Sequence, residues 1–352
     1  MTVLFLSRRF SPHLGGVEKH LKHLCQELQK NSPQEFKIQA VTEQDQADLA
    51  EHEFVDGVEV FRIPLTDQKT NKKQIWDWWW RHQQLLQDAD IVHIHDVFFW
   101  LLPLRLRYFF KPWFITFHGY EPPGPPNWRQ RAWHQLAELL TQANICIGGF
   151  HQKWYGVKPD QVSFGAVEVN SRRVTQSNSQ KKHNLIFVGR LEEDTGVFDY
   201  IRALQTLGSN EVRLDIYGGG PLENELKNFV KAHHLPVTFF GQTNITTELY
   251  QQYLLSCVSG YLTILESLAA GVPVVATFRT ELKKDYLLLT PFAKWITVVE
   301  GSDAKQLGAE ISAEHSLSAD AVNWAQSQSW EKLADQYQIL WRGALKDSKK
   351  SN

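Results

Sequence analysis

The chain has 352 residues, of which 43% are hydrophobic and 22% charged, and a formal net charge of -2. That length suits two domains with a core each, and the charge lacks the basic excess expected of a nucleic-acid binder. No run reaches the roughly 18 apolar residues of a membrane span.

The opening MTVLFLSRRFSP is a short apolar run ended by Arg8 and Arg9. It lacks the order of a signal peptide and reads as a first strand over residues 3–6. Gly15 and Gly16 follow, then a helix from Val17 to about Gln29 with Val17, Leu21, Leu24 and Leu28 on one face. Paired glycines let backbone approach a ligand at a helix start, although many strand–helix turns contain glycine without one. Residues 36–41 and 58–63 read as further strands. Lys72 to Gln84 is basic and tryptophan-rich, and residues 98–114 repeat the mixture with Arg105, Arg107 and Lys111. Tryptophan and lysine favour the bilayer interface, so a peripheral membrane surface or a lipid-linked acceptor is one reading. A helix with some tryptophans in the core is the other.

The run DADIVHIHD places His93, His95 and Asp96 at the carboxyl end of a strand, where open α/β sheets bind ligands. His-x-His is also a metal spacing, but no metal is assigned. FITFHG is a second such strand, ending at His118. The proline-rich loop 121–128 follows, then a strand and glycine turn at 162–167. Residues 170–183 are polar and without apolar period, as in an interdomain linker. Cys25, Cys146 and Cys257 are far apart and read as reduced thiols of a cytoplasmic protein.

The second half opens with a strand, Gly189 and Arg190; a guanidinium there can grip phosphate oxygens in a fork. The strand-and-glycine pattern recurs at Gly219 and at Gly241. No GxGxxG follows a strand, which argues against a dinucleotide dehydrogenase. Ser259 to Thr277 reads as loop, helix, turn and buried strand, with Gly271 ending the helix. Glu266, the one charge in this block, is expected near the helix's first turn. It would either hold ligand hydroxyls or stabilise the helix N-terminus. Arg279 and Lys283 follow the strand, on a solvated helix face or as cations for a phosphate. Residues 303–340 read as helices.

Four of these blocks together resemble retaining glycosyltransferases of family 4: GGVE at Gly15–Glu18, TFHG at Thr116–Gly119, GRL at Gly189–Leu191, and Glu266 before LAAGVPVVA. The resemblance spans almost the whole chain. It implies the α/β GT-B fold, with two Rossmann-like domains facing across a cleft. Its domains would be an acceptor-side domain at 1–170, a linker at 171–183, a nucleotide-sugar domain at 184–328, and a C-terminal helix at 329–352 returning to the first. It also implies a nucleotide-sugar donor as substrate, no separate cofactor and no metal, and a saccharide or lipid-linked acceptor in polysaccharide or glycolipid synthesis. Arg190 would bind the donor diphosphate and Glu266 the ribose; His118, Gly15 and Gly16 would face the sugar and acceptor, and Gly219 and Gly241 the nucleotide. There are two departures. Thr195 stands where the family has a lysine, and Val258 or Ser259 where it has an acidic residue. Thr195 keeps a hydroxyl that can donate to a phosphate. The departures leave open a non-catalytic protein that binds a sugar nucleotide or a partner. A sugar-nucleotide epimerase shares the fold, but these blocks look like a transferase's.

Overall fold

The computed structural model describes residues 1–13, 15–31, 35–65, 71–120, 124–168, 184–208, 212–243 and 245–350. The expected linker and part of the proline-rich loop lie outside the described residues. The chain divides into two compact units.

The first unit comprises Met1–Tyr120, Pro126–Ser163 and Trp330–Asn352. Its strands are β1 (Thr2–Leu6), β2 (Lys37–Gln44), β3 (His52–Val55), β4 (Val58–Pro64), β5 (Ile91–His95), β6 (Trp113–Phe117), β7 (Ala143–Ile147) and β8 (Gln161–Ser163). They form one sheet in the order β3-β4-β2-β1-β5-β6-β7-β8, parallel except for the β3–β4 hairpin. That hairpin turns at Asp56 and Gly57, both at positive φ. An Asp-Gly pair between two short runs is the sequence signal for such a turn, and it adds β3 to the strands expected at 36–41 and 58–63. Every side chain of β5 and β6 is buried. A parallel sheet covered on both faces demands this, and it explains the near-continuous apolar runs. The helix Gly16–Asn31 buries His20, Leu21, Leu24 and Leu28, and the helix Trp330–Lys350 buries Trp330, Leu333, Ala334, Tyr337 and Trp341. Spacings of three and four put each set on one face. The two helices pack on each other, and His23 stacks on Trp330 with centroids 4.6 Å apart.

The second unit is centred on Phe164–Ser329. Its strands are β9 (Asn184–Val188), β10 (Arg213–Tyr217), β11 (Val237–Gly241), β12 (Leu255–Cys257), β13 (Val274–Phe278) and β14 (Thr297–Glu300). The order is β11-β10-β9-β12-β13-β14 and every pairing is parallel. Leu185 and Phe187 of β9 and Leu214 and Ile216 of β10 meet Val197, Tyr200, Ile201 and Leu204 of the helix Val197–Leu207. In each unit the first strand lies between one that follows it directly and one reached later: β1 between β2 and β5, β9 between β10 and β12. There the crossovers diverge, and the carboxyl edge leaves room for a ligand.

Candidate functional site

At the carboxyl edge of the first sheet, histidines gather. His93 and His95 are alternate residues of β5, hence on one face. His93 Nε2 is 2.8 Å from Thr116 Oγ1 of β6, and Trp341 Nε1 donates to His93 Nδ1 at 3.0 Å. Thr116 Oγ1 is 2.8 Å from the Tyr337 hydroxyl, which is 2.9 Å from His20 Nε2. The indole can only donate, so the direction of this chain is set. It runs from Trp341 through His93, Thr116 and Tyr337 to His20, each group between the two ends accepting once and donating once. Both nitrogens of His93 are thereby used within the protein, so His93-x-His95 is not a free ligand pair.

His118 ends the same edge, partly exposed. Its Nε2 lies 2.7 Å from His95 Nδ1, its ring is 4.7 Å from that of His20 at 87°, and its amide donates to Asp96 Oδ1 at 3.0 Å. His95 Nε2 is buried and has no partner. A bare lone pair there costs less than an orphaned N–H, so His95 Nδ1–H donates to His118 Nε2. The remaining proton of His118 then sits on Nδ1. Burial, reinforced by His20, holds His118 well below the usual imidazole range, and burial pulls His20 down to about 3. The cluster is therefore neutral at pH 7. It offers N–H donors and lone pairs without net charge, which suits sugar hydroxyls. Asp96 holds its place by an uncommon backbone, at φ 61. Gly16 begins the helix Gly16–Asn31, Gly15 precedes it, and His20 stands one turn in, so the GGVE start and His118 belong to one neighbourhood. His20 and Tyr337 are absent from the residues that sequence singles out. The only signal was a histidine within the apolar face of the first helix.

The second sheet's edge is built differently. Three glycine turns lie side by side on β11, β10 and β9. Gly218 donates to the Gly241 carbonyl at 2.8 Å, Gly189 to the Tyr217 carbonyl at 3.0 Å, and Leu191 to the Gly219 carbonyl at 3.0 Å. A Cβ on Gly218 would stand 1.8 Å from the Gly189 carbonyl oxygen, which is backbone and cannot yield. Gly241 sits at φ 73 with nothing within 4 Å of a Cβ, so its requirement is conformational.

Arg190 leaves the end of β9 with its side chain 56% exposed. Its Nη1 is 2.5 Å from Glu192 Oε2 and its Nη2 3.3 Å from Asp194 Oδ2. Thr195 donates its hydroxyl to the Glu192 carbonyl at 2.7 Å. That bond closes the turn at Glu193–Thr195. Ser259 is likewise committed within the fold. Its Oγ accepts from the Thr277 amide at 3.0 Å and is 2.9 Å from the Tyr200 hydroxyl, while Val258 is fully buried. In place of an acidic residue there is thus a tie between the end of β12, β13 and the helix Val197–Leu207.

Glu266 needs a correction of place. Its helix runs Tyr261–Ala269 and has no acidic residue in its first turn. Glu266 lies in the second turn, which removes the N-terminal stabilisation reading. Its carboxylate accepts from the Tyr250 hydroxyl at 3.0 Å, and burial keeps that phenol protonated, well above its usual range. Tyr250, on the short helix Thr247–Tyr250, carried no sequence signal.

The two later cations separate. Arg279 is committed to the buried Asp199, with Nε 3.0 and 2.9 Å from its two carboxylate oxygens. Lys283 is not on a solvated face: it is buried, donates to the Ser259 carbonyl at 2.7 Å and lies over the Tyr286 ring. Burial pulls it down to about 8, with Asp194 opposing that shift and Arg190 adding to it. Lys283, Asp194 and Arg190 thus share one electrostatic neighbourhood. Of the expected residues of this unit, Arg190, Thr195, Gly219 and Gly241 stand on the segments at the carboxyl ends of β9, β10 and β11, and Glu266 stands on the helix that follows β12. Among the described residues no group of three or more His, Cys, Asp or Glu side chains is placed to hold a metal.

Residues 14–158 match the model of Glycosyltransferase Family 4, and residues 170–287 that of Glycosyl transferases group 1. No curated protein matches the chain. Among solved structures, sucrose-phosphate synthase from Thermosynechococcus elongatus superposes with a TM-score of 0.76 at 15% identity, covering 98% of this chain and 99% of that one. Anabaena HepE, in complex with UDP and glucose, gives 0.66 at 16% identity over 100% of both chains. WaaG, a glycosyltransferase involved in lipopolysaccharide biosynthesis, gives 0.60 at 16% identity over 98% of both. At these identities the superpositions speak for the fold. The two family models lie in tandem, one on each half of the chain, and the chain belongs to the family-4-type glycosyltransferases of GT-B fold.

Proposed function

We propose that the chain moves a hexosyl group from a nucleotide-sugar donor to an acceptor hydroxyl with retention of anomeric configuration. The observation that carries this reading is the division of chemistry between the two sheet edges. One offers exposed Arg190 beside glycine turns and an oriented carboxylate, Glu266. The other offers neutral imidazoles ending at His118. An anionic diphosphate suits the first, and sugar hydroxyls suit the second. UDP is the first donor base to try, because Anabaena HepE is complexed with it.

In this reading Arg190 takes the diphosphate oxygens and stabilises the charge that grows on them as the glycosidic bond breaks. Glu266, held by Tyr250, accepts from ribose hydroxyls. By the family resemblance, His118 would present Nδ1–H to a sugar hydroxyl. No side chain is assigned as nucleophile. The acceptor oxygen bonds to the anomeric carbon on the face the diphosphate leaves, and the acceptor proton passes to the departing phosphate. The acceptor is a saccharide or a lipid-linked saccharide in cytoplasmic polysaccharide or glycolipid synthesis.

The test is calorimetric titration with UDP, alongside Arg190→Ala. Loss of a charge-assisted contact costs about 1.5–3 kcal/mol, so affinity falls by roughly tenfold to a hundredfold. An Arg190→Ala protein that folds and binds UDP like the wild type removes Arg190 from the site. A second reading, a non-catalytic sugar-nucleotide or partner-binding protein, is favoured by the two carboxylates that already hold Arg190. Nucleotide binding without hydrolysis or transfer, across a panel of donors and acceptors, selects it.

A further inference from the structure

The tryptophan-rich helix Asn71–Arg81 divides its aromatics. Trp78 and Trp79 are buried, while Trp76 and Trp80, one turn apart, are exposed, Trp80 by 55%. The segment 98–111 is laid against this helix and the one that follows. Trp76 Nε1 donates to the Phe99 carbonyl at 2.8 Å and Lys72 lies over the Phe99 ring. Further along, the Tyr108 hydroxyl bonds Gln83 at 3.0 Å, and Lys111 Nζ donates to the Gln87 and Ala89 carbonyls, both at 2.6 Å. The two aromatic runs therefore form one continuous strip of the first unit. Around Tyr108 the strip ends in Leu106, 85% exposed, Phe109, 54%, and Phe110, 83%, with the two phenyl centroids 3.6 Å apart.

Exposed phenylalanines and tryptophans grouped on a water-facing surface need a cause. Charge supplies the second observation. Residues 71–81 and 98–111 carry six cations (Lys72, Lys73, Arg81, Arg105, Arg107 and Lys111) and one acid, Asp77, a net +5 within a chain of net -2. Lys72, Lys73, Arg81 and Arg107 are exposed; Asp88, on the following short helix, is an exposed acid beside them. Aromatic side chains with cations around them, borne on packed elements, match a bilayer interface with anionic headgroups.

We propose that this strip docks the protein on the surface of an anionic membrane, with Leu106, Phe109, Phe110, Trp76 and Trp80 entering the headgroup region and Lys72, Lys73 and Arg107 meeting phosphates. Among the described residues no helix is long and apolar enough to cross a membrane, so the contact is peripheral. The proposal stands apart from the transfer reading, since it uses none of the site residues and either can fail alone.

Vesicle flotation of the full chain tests it, with phosphatidylcholine alone and with phosphatidylcholine mixed with phosphatidylglycerol. Binding is expected to the mixed vesicles at low salt and to be lost at high salt. Lys72→Glu, Lys73→Glu and Arg107→Glu together should weaken it on the order of a hundredfold. Leu106→Ser, Phe109→Ser and Phe110→Ser together should weaken it by about tenfold or more. These side chains are exposed, so the fold survives, as circular dichroism would verify; Phe110→Ser alone is the fallback. Three outcomes overturn the proposal: no vesicle binding at low salt, equal binding to both compositions, or a wild-type dimer that the serine variant converts to monomer, which would make a second copy the strip's occupant.

Discussion

The two sheet edges use the same topology and opposite electrostatics. Around β5 and β6 the interior polar groups are imidazoles, a threonine, a tyrosine and an indole, kept neutral by burial and joined from Trp341 to His20 by a directed hydrogen-bond chain, with one exposed carboxylate, Asp96, beside them. Around β9 the polar groups are ions, and two carboxylates already hold Arg190. An edge that meets hydroxyls works with uncharged donors, because a buried charge there would cost several kcal/mol without a counterion. At the second edge Glu192 and Asp194 compensate the charge of Arg190.

Acid should break this contrast most strongly. His20 and His151 fall to about 3 in the fold, with burial the first cause, and His93, His95 and His118 lie well below the usual range. A lowered folded value means that the unfolded chain binds more protons below about pH 6.5. The stability is present above that pH and is lost as pH falls from about 6.5 towards about 3, by up to about 5 kcal/mol each for His20 and His151. Lys283, at about 8 in the second unit, adds nothing in that window. Hydrogen exchange, corrected for intrinsic rates, should show β5 and β6 opening at higher pH than β9 and β10; the reverse order would sink the account.

Glu266→Gln comes next. Tyr250 would keep a hydrogen-bond partner, so the fold should hold, while affinity for UDP falls by roughly tenfold. The nucleoside tests the assignment further: if uridine binding is unchanged by the substitution, Glu266 does not hold the ribose.

A smaller effect of opposite sign is expected from Asp194→Asn. Asp194 competes for Arg190 and lies in the field of Lys283. Removing its charge should tighten UDP by a few-fold, an exposed ion pair being worth at most about 1 kcal/mol. Weaker binding would mean that Asp194 positions Arg190 and does not compete for it. Smallest is Thr195→Lys. It restores the family's cation at the cost of the hydroxyl's bond to Glu192, so a gain of about twofold in UDP affinity is expected, with no required gain in turnover. Isothermal titration in parallel with wild type reads both, and an unchanged affinity for Thr195→Lys would place this turn away from the phosphates.

What sequence alone determined was local and periodic. Apolar runs ending in glycine or histidine announced the parallel strands and their carboxyl ends, and through them Gly16, His118, Arg190, Gly219 and Gly241. Each of those readings depends on neighbours within a few residues. What only the tertiary structure decided was which groups face one another across distant segments. His20 meets Tyr337 across 317 positions and Arg279 meets Asp199 across 80. Lys283 is drawn to the Ser259 carbonyl and out of solvent, and Trp78 is sorted from Trp80. Helical period names a face, but not what covers it, and hydrogen bonding and desolvation are properties of the partner as much as of the residue. The same limit misplaced Glu266. Its helix begins at Tyr261, whose amide donates to the Tyr286 hydroxyl at 3.0 Å. A free N–H at a helix start is satisfied by whichever acceptor reaches it, and here that group arrives from 25 residues away, beyond the reach of any local pattern.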